Sequence, residues 1–127
     1  MFKLHRSWKV HRKTLLAAKI AHFERQVLST PEWQSFSIWG AGRDGKDTYK
    51  ALSAAARARV TCFWDVDVKK IGSVYVDHIT RRKIPILSRD SLKPPVILCV
   101  ASDRANGLEQ YLEKTLMKDG TDYYHMC

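Results

Sequence analysis

Three glycines, Gly40, Gly42 and Gly45, stand at the spacing GxGxxG in this chain. They follow an apolar run at residues 36–39 that predicts a strand, and they precede a segment rich in helix-forming residues. A turn of this kind presents backbone N–H groups at the positive end of a helix dipole. The spacing therefore predicts a site for an anion such as a phosphate group.

The three glycines have different expected roles in such a turn. Gly40 permits the tight turn, Gly42 lets the backbone approach a phosphate, and Gly45 lets the helix pack closely on the strand. Asp65 lies about twenty residues after the third glycine, at the end of a second predicted strand. A carboxylate at that position accepts hydrogen bonds from ribose hydroxyls, and Asp67, two residues further on, is the alternative acceptor.

The charged residues around the turn have opposing effects on the binding of an anion. Arg43 and Lys46 favour an anion, whereas Asp44 and Asp47 stabilise the start of the helix themselves and repel a phosphate. An alternative without a ligand is left open, in which the glycines only shape the turn and Asp65 caps a loop. The nucleotide-binding interpretation assigns the ligand contacts to Gly40, Gly42, Arg43, Gly45, Asp65 and Asp67.

No residue pattern indicates catalysis or a metal ion. Residues 65–67 spell DxD, which nucleotide-sugar glycosyltransferases use to hold a divalent metal, but three letters alone indicate little. The five histidines share no metal-ligand spacing, and no serine or cysteine has the context of a nucleophile. The three cysteines are odd in number and far apart, which predicts reduced thiols in an intracellular protein. We therefore predict no catalytic residue and no metal ligand.

The elements that must position the turn alternate between strand and helix. Apolar runs predict strands at residues 36–39, 60–64, 84–87, 96–101 and 122–126. Helical spacing covers residues 46–59 and 108–118, and Gly120 supplies the stop of the second helix. Strands that alternate with helices indicate a parallel sheet with right-handed crossovers. The predicted fold is a small Rossmann-like α/β domain of three layers, residues 31–127, with a mostly parallel sheet of four or five strands.

The positive charge is concentrated in an N-terminal arm, residues 1–30. The chain has 127 residues and a formal net charge of +9, and this arm carries seven Lys or Arg residues and one acid. Leu16, Ile20, Phe23 and Val27 fall on one stripe of a helix. The arm is therefore predicted to be a basic amphipathic helix that precedes the folded domain.

Three uses of this arm fit the sequence. Its apolar stripe packs on its own domain or on a neighbour, its cations bind a polyanion such as RNA or anionic lipid, or it is a mitochondrial targeting segment. The chain is long enough for one core only, which excludes a large two-domain enzyme. No apolar run approaches the ~20 residues of a membrane-spanning helix. We therefore predict no membrane span and a cytoplasmic location, with mitochondria as the alternative.

Five runs of residues occur in the same order as in a known group of proteins. The runs are FSIWGAGRDG at 36–45, FWDVD at 63–67, KIG at 70–72, KIPIL at 83–87 and KPPVILCV at 93–100. They resemble the C-terminal domain of the family-2 glycosyltransferase-like proteins described as beta-1,3-N-acetylglucosaminyltransferase-like, the group that contains the queuosine-tRNA galactosyltransferase. A looser resemblance is to the N-terminal nucleotide-sugar-binding domain of bacterial sugar O-acyltransferases, which has a histidine where this chain has Asp44.

The first resemblance implies an accessory domain of a glycosyltransferase whose catalytic domain would lie upstream or in a separate protein. The chain is then expected to be either a fragment of such a protein or a standalone relative that kept only this module. The first resemblance also implies that the basic helix is the connector to that catalytic domain. The looser resemblance implies a uridine nucleotide or a UDP-sugar as the ligand. We therefore predict a non-catalytic module that binds a nucleotide or nucleotide sugar, or that supports tRNA binding by a partner. The alternative is an RNA-interaction or assembly protein that binds through the basic arm and whose nucleotide pocket is vestigial.

Overall fold

A computed structural model describes residues 2–99 and 121–126 of the protein, with side chains from residue 13 onward. The α-helices in this part are α1 (Phe2–Gln26), α2 (Arg43–Ala51) and α3 (Ala54–Arg57). The strands are β1 (Phe36–Trp39), β2 (Val60–Asp65), β3 (Val74–Val76), β4 (Lys83–Ser88), β5 (Val96–Leu98) and β6 (Tyr123–His125). Single turns of 3-10 helix lie at Pro31–Trp33 and Arg89–Ser91.

The described strands form one sheet in the order β3–β4–β2–β1–β5–β6. The strands β4, β2, β1, β5 and β6 run parallel to one another, and β3 pairs antiparallel with β4 at the edge. This topology confirms the predicted α/β fold with a mostly parallel, Rossmann-like sheet. The sheet has more strands than the four or five predicted, because β3 is a three-residue edge strand, too short to show a periodic pattern.

The predicted strands agree with β1, β2, β4 and β6 to within one or two residues at each end. The strand predicted at residues 96–101 begins as β5, but its last two residues lie outside the described part of the chain. The helix predicted at residues 108–118, with its stop at Gly120, also lies outside the described residues.

The helix predicted at residues 46–59 is wrong in its bounds, because two helices occupy this stretch. The first of them, α2, already begins at Arg43. Leu52 then has extended backbone angles (φ −66°, ψ 151°), and Ser53 caps α3 by accepting a hydrogen bond from Ala56 N at 3.2 Å. Serine is a preferred N-cap residue, so the break lies where the sequence offers a new helix start. The buried Leu52 side chain fills the core at this point.

The second half of α1 is part of the hydrophobic core. Ile20 and Phe23 of α1, and Val27 directly after it, are buried in the same cluster as residues of β1 and β2. The centroid of the Phe23 ring lies 5.4 Å from that of Trp33 and 5.9 Å from that of Phe36. Of the three uses predicted for the arm, packing on its own domain is therefore present in this half of the helix. RNA binding, the targeting role and the division of the chain into an arm and a domain stay predictions.

The opposite face of the sheet buries a second cluster, which contains Trp39 and Trp64. These two residues are 4% and 5% exposed, and Trp64 Nε1 donates a hydrogen bond to Ser37 Oγ at 2.6 Å. The tryptophan rings are therefore core residues and do not form an open platform for a nucleotide base. Cys62 lies in the same cluster as a free thiol, and burial raises its pKa to about 11.

A buried hydrogen-bond network holds the connection between β3 and β4 against α2. The Asp77 carboxylate accepts hydrogen bonds from the Tyr49 hydroxyl and from the N–H groups of Ile79 (2.8 Å) and Thr80 (3.0 Å). The Arg57 Nε atom lies 3.9 Å from Asp77 Oδ2. The Tyr49 hydroxyl, then these N–H groups and the arginine, lower the pKa of Asp77 well below its ordinary value. Burial, followed by the hydrogen bond to Asp77, raises the pKa of Tyr49 to about 12.

Because of this network, stability is expected to fall at both ends of the pH range. The pKa of Asp77 is lower in the folded protein than its ordinary value of 3.8, so the free energy of unfolding falls as the pH drops below about 4. The pKa of Tyr49 is higher in the folded protein, so the free energy of unfolding also falls as the pH rises from about 10 towards about 12. Urea denaturation at a series of pH values measures both decreases in the free energy of unfolding. Asp77→Asn is expected to reduce the decrease at acid pH, and Tyr49→Phe the decrease at alkaline pH. Decreases as steep in the variants as in the wild type would contradict this account.

Candidate functional site

The turn after β1 lies where the order of the strands reverses. The strands β2 and β4 lie on one side of β1, and β5 and β6 lie on the other. In open parallel sheets, connections that leave in opposite directions open a crevice outside the carboxyl ends of the strands, and ligands bind there. The turn from Gly40 to Gly45 is therefore placed where a ligand crevice is expected.

The backbone of the turn requires glycine at two of its three glycine positions. Gly40 has a φ of 104°, which other residues rarely adopt, and its N–H donates to Trp64 O at 2.8 Å. A Cβ atom on Gly45 would lie 1.7 Å from the carbonyl oxygen of Gly40, so only glycine fits this close approach. Gly42 differs, because its φ is −85° and the atom nearest to an added Cβ would be Lys70 Nζ at 3.5 Å. Neither the backbone nor the packing therefore excludes a methyl group at Gly42.

Asp65, at the end of β2, accepts hydrogen bonds from backbone N–H groups of the glycine turn and of the turn after β2. Its Oδ2 atom accepts a hydrogen bond from Ala41 N at 2.9 Å, within the glycine turn. Its Oδ1 atom accepts from Val66 N at 2.7 Å and from Asp67 N at 2.9 Å. Burial raises the pKa of Asp65, but these three N–H groups and the nearby Lys70 lower it by more, so the pKa lies below its ordinary value. The carboxylate therefore fastens the turn after β1 to the end of β2.

Lys70 stands against the glycine turn, although it is not among the predicted site residues. Its ammonium nitrogen lies 3.5 Å from the position that a Cβ atom would take on Gly42. Asp67 holds the turn that brings it there, since its carbonyl oxygen accepts from Lys70 N at 2.9 Å and its Oδ1 accepts from Lys69 N at 2.9 Å. Lys70 forms no ion pair within the described parts of the chain. Spacing in the sequence does not reveal this approach, because it depends on how the turn after β2 folds.

The two cations that the sequence places next to the turn are engaged elsewhere. Arg43 Nε lies 3.8 Å from Asp47 Oδ2, in an exposed pair one helical turn apart. Lys46 Nζ lies 6.0 Å from the centroid of the Tyr75 ring. Arg43 offsets part of the charge of Asp47, which reduces the predicted repulsion between that acid and a phosphate. A ligand contact by Arg43 itself stays a prediction.

The structure brings the glycine turn, Asp65 and Asp67 together at one edge of the sheet, with Lys70 beside them. The first turn of α2 adds the N–H groups that have no partner within a helix, together with the positive end of the helix dipole. This edge therefore offers positive charge and backbone donors to an anion, and carboxylate oxygens to hydroxyl groups. Such a combination is typical of nucleotide sites in α/β sheets.

The fold and this edge of the sheet define a Rossmann-like α/β protein with a candidate ligand site after β1. No protein-family model matches the chain, and no solved structure matches it. Among residues 2–99 and 121–126, no group of three His, Cys, Asp or Glu side chains is placed to hold a metal ion. The described part of the chain contains no helix long and apolar enough to cross a membrane. Membership of the family-2 glycosyltransferase-like group stays a prediction.

Proposed function

We propose that this chain is a module that binds a nucleotide or a nucleotide sugar at the turn between β1 and α2. One observation carries the proposal: the glycine turn lies at the reversal of the strand order, with the Lys70 ammonium 3.5 Å from where a Cβ atom would stand on Gly42. A phosphate group is common to all nucleotides, and in this proposal it binds between the start of α2 and Lys70.

The charges at the turn favour a phosphate group over an uncharged ligand. The start of α2 supplies N–H donors and a partial positive charge, and Lys70 supplies a full one. Arg43 offsets part of the charge of Asp47, and three backbone N–H groups bind the Asp65 carboxylate. Asp44, in the first turn of α2, opposes a phosphate. Gly42 places no side chain between the backbone and the flexible Lys70, so a phosphate oxygen reaches both groups.

The looser resemblance, to the nucleotide-sugar-binding domain of sugar O-acyltransferases at residues 40–46 and 65–72, supports a uridine nucleotide or a UDP-sugar as the ligand class. In that arrangement the chain binds the nucleotide as an accessory domain, and catalysis belongs to another domain or to a partner. The site needs only binding residues for this role, which the glycine turn, Lys70 and the carboxylates after β2 supply.

Gly42→Ala is expected to weaken nucleotide binding about tenfold or more while the protein stays folded. The added methyl group occupies the space between the backbone and the Lys70 ammonium, and a φ of −85° accommodates alanine. Calorimetric titration of the wild type with UDP, UDP-glucose, ADP and NAD identifies the ligand that binds most tightly. The variant is then titrated with that ligand, and thermal denaturation checks that its stability is unchanged.

A pair of neighbouring lysines supplies a matched control for this experiment. Lys70→Gln is expected to weaken binding about tenfold, because it removes a charged donor to the phosphate. Lys69→Gln removes the same charge from an exposed neighbour and is expected to change the affinity little. No binding of any of the four ligands to the wild type, or an equal loss in both lysine variants, would contradict the proposed function.

A further inference from the structure

The outer side of β3 is an exposed edge of the sheet, since no strand among the residues that the structure describes pairs with it. Directly before β3, Ser73 O accepts a hydrogen bond from Ile86 N of β4 at 3.0 Å. Residues of an antiparallel strand turn their backbone groups towards and away from the partner in alternation, so Tyr75 also faces β4. Val74 and Val76 therefore direct their N–H and C=O groups outward, where another extended chain can pair with them.

The side chains beside this edge are apolar and exposed. Val74 is 47% exposed and Val76 is 37% exposed, on the face of the sheet opposite to the half-buried Tyr75. Pro85 of β4 stands opposite Val74, so Leu87, which is 38% exposed, lies on this same face. The strand β3 contains no charged residue and no proline, which commonly protect an exposed edge from pairing. The edge and its apolar face are therefore open to an extended chain.

The surface around β3 is basic. Residues 68–89 include six Lys or Arg residues and one acid, Asp77, which is buried and already bound within the protein. Three of the cations are exposed: Lys69 precedes β3, Arg81 lies in the connection to β4, and Lys83 stands opposite the last residue of β3. None of these three forms an ion pair within the described ranges of the chain. A partner at this edge is therefore expected to be acidic, whereas a second copy of this chain would bring the same cations to it.

We propose that β3 binds an extended, acidic segment of a partner protein, which joins the sheet as a further strand. The backbone of the segment pairs with Val74 and Val76, its apolar side chains cover the two valines, and its acidic side chains meet the three exposed cations. RNA, another polyanion, is held by contacts to phosphates and by stacking of its bases, whereas this surface offers aliphatic side chains and backbone groups. The proposal does not depend on the nucleotide site at the glycine turn.

Peptide selection on the full chain tests the chemistry of the partner. One displayed library has acidic ends and a randomised centre, and a second has basic ends and the same centre. The acidic library is expected to yield binders with alternating apolar residues, and the basic library to yield none. Equal enrichment of the two libraries, or no binder from either, would overturn the proposal.

Hydrogen exchange followed by NMR tests where the tightest selected peptide binds. The outward amides of Val74 and Val76 are expected to exchange rapidly in the free protein and at least about tenfold more slowly with the peptide bound. The amide of Tyr75 faces β4 and is expected to exchange slowly in both states. Unchanged exchange at Val74 and Val76 in the presence of bound peptide would place the peptide elsewhere and overturn the proposal.

Two variants separate the backbone pairing from the charge. Val76→Pro removes an outward N–H group, a position at which an edge strand tolerates proline, and is expected to weaken peptide binding about tenfold. Lys83→Glu is expected to weaken it at least about threefold. The matched control is Lys93→Glu, which reverses the charge of an exposed lysine before β5, on the other side of β1 from β3, and is expected to change the affinity little. If Val76→Pro does not fold, the lysine pair and the exchange data decide.

The other possible occupants of this edge give different results. Equal losses in Lys83→Glu and Lys93→Glu would show a general effect of net charge and overturn the proposal. Displacement of the peptide by a single-stranded RNA at equal concentration would assign the surface to RNA. A dimer in sedimentation that Val76→Pro dissociates would assign it to a second copy of the chain. Each of these results overturns the proposal and leaves the nucleotide titrations unaffected.

Discussion

Replacing Gly45 with alanine is expected to destabilise the protein by at least about 3 kcal/mol. The new Cβ atom would lie 1.7 Å from the carbonyl oxygen of Gly40 and 2.8 Å from its carbonyl carbon. Both are backbone atoms, so no change of side-chain rotamer relieves the clash. Helix propensity favours alanine over glycine by only about 1 kcal/mol, so the clash outweighs this gain. Urea denaturation of Gly45→Ala and the wild type measures the difference in the free energy of unfolding.

The matched control is Gly42→Ala, which adds the same methyl group elsewhere in the same turn. Its nearest neighbour is the flexible end of Lys70 at 3.5 Å, an ordinary contact distance, so its stability is expected to stay within about 0.5 kcal/mol of the wild type. Equal stability of the two variants would contradict the close approach of α2 to the turn. The pair also separates the two uses of glycine in this turn, close packing at position 45 and access for a ligand at position 42.

Phe23→Ala is expected to reduce the free energy of unfolding by about 3–5 kcal/mol, the range for truncating a buried phenylalanine. Phe23 is 0% exposed, and its ring centroid lies 5.0 to 5.9 Å from those of Trp33, Phe36 and Tyr124. Its removal leaves a cavity between α1 and the sheet that the surrounding aromatic rings fill only in part. Since domains of this size are stable by about 5–15 kcal/mol, the loss is a large share of the total. Urea denaturation measures it.

Leu15→Ala is the control for this prediction, because it truncates an apolar side chain on the same helix that is 47% exposed. Its expected cost is less than about 1 kcal/mol. A cost for Phe23→Ala as small as that for Leu15→Ala would show that α1 does not pack on the sheet. A large difference would make the second half of α1 an integral part of the folded domain.

The strands inside the sheet were predictable because burial on both faces produces a continuous apolar run. All four residues of β1 are buried, for example. The strand β3 was not predictable, since it has three residues and exists through its pairing with β4, a tertiary contact. The break between α2 and α3 was predictable only in part. Ser53 is a good N-cap residue, which favours a new helix start, but the helix-forming residues on either side of it favour one continuous helix.

In the candidate site, the glycine spacing predicted the turn because the requirement is local to the backbone. Gly40, which has a positive φ, and Gly45, which packs against it, belong to one segment of six residues. The partners of Asp65 were not predictable, since Ala41 N belongs to a different connection of the sheet. The position of Lys70 was not predictable either, because its distance to Gly42 depends on the fold of the turn after β2.

An NMR titration of the wild-type protein tests most directly whether the turn after β1 binds a nucleotide through its phosphate. With UDP or ADP, the account predicts saturable shifts that are largest at the amide groups of Gly42, Arg43 and Lys70. With uridine or adenosine at the same concentrations, which lack the phosphate, these shifts are expected to be absent. No shifts with either diphosphate, or the largest shifts at residues far from this edge of the sheet, would contradict the account.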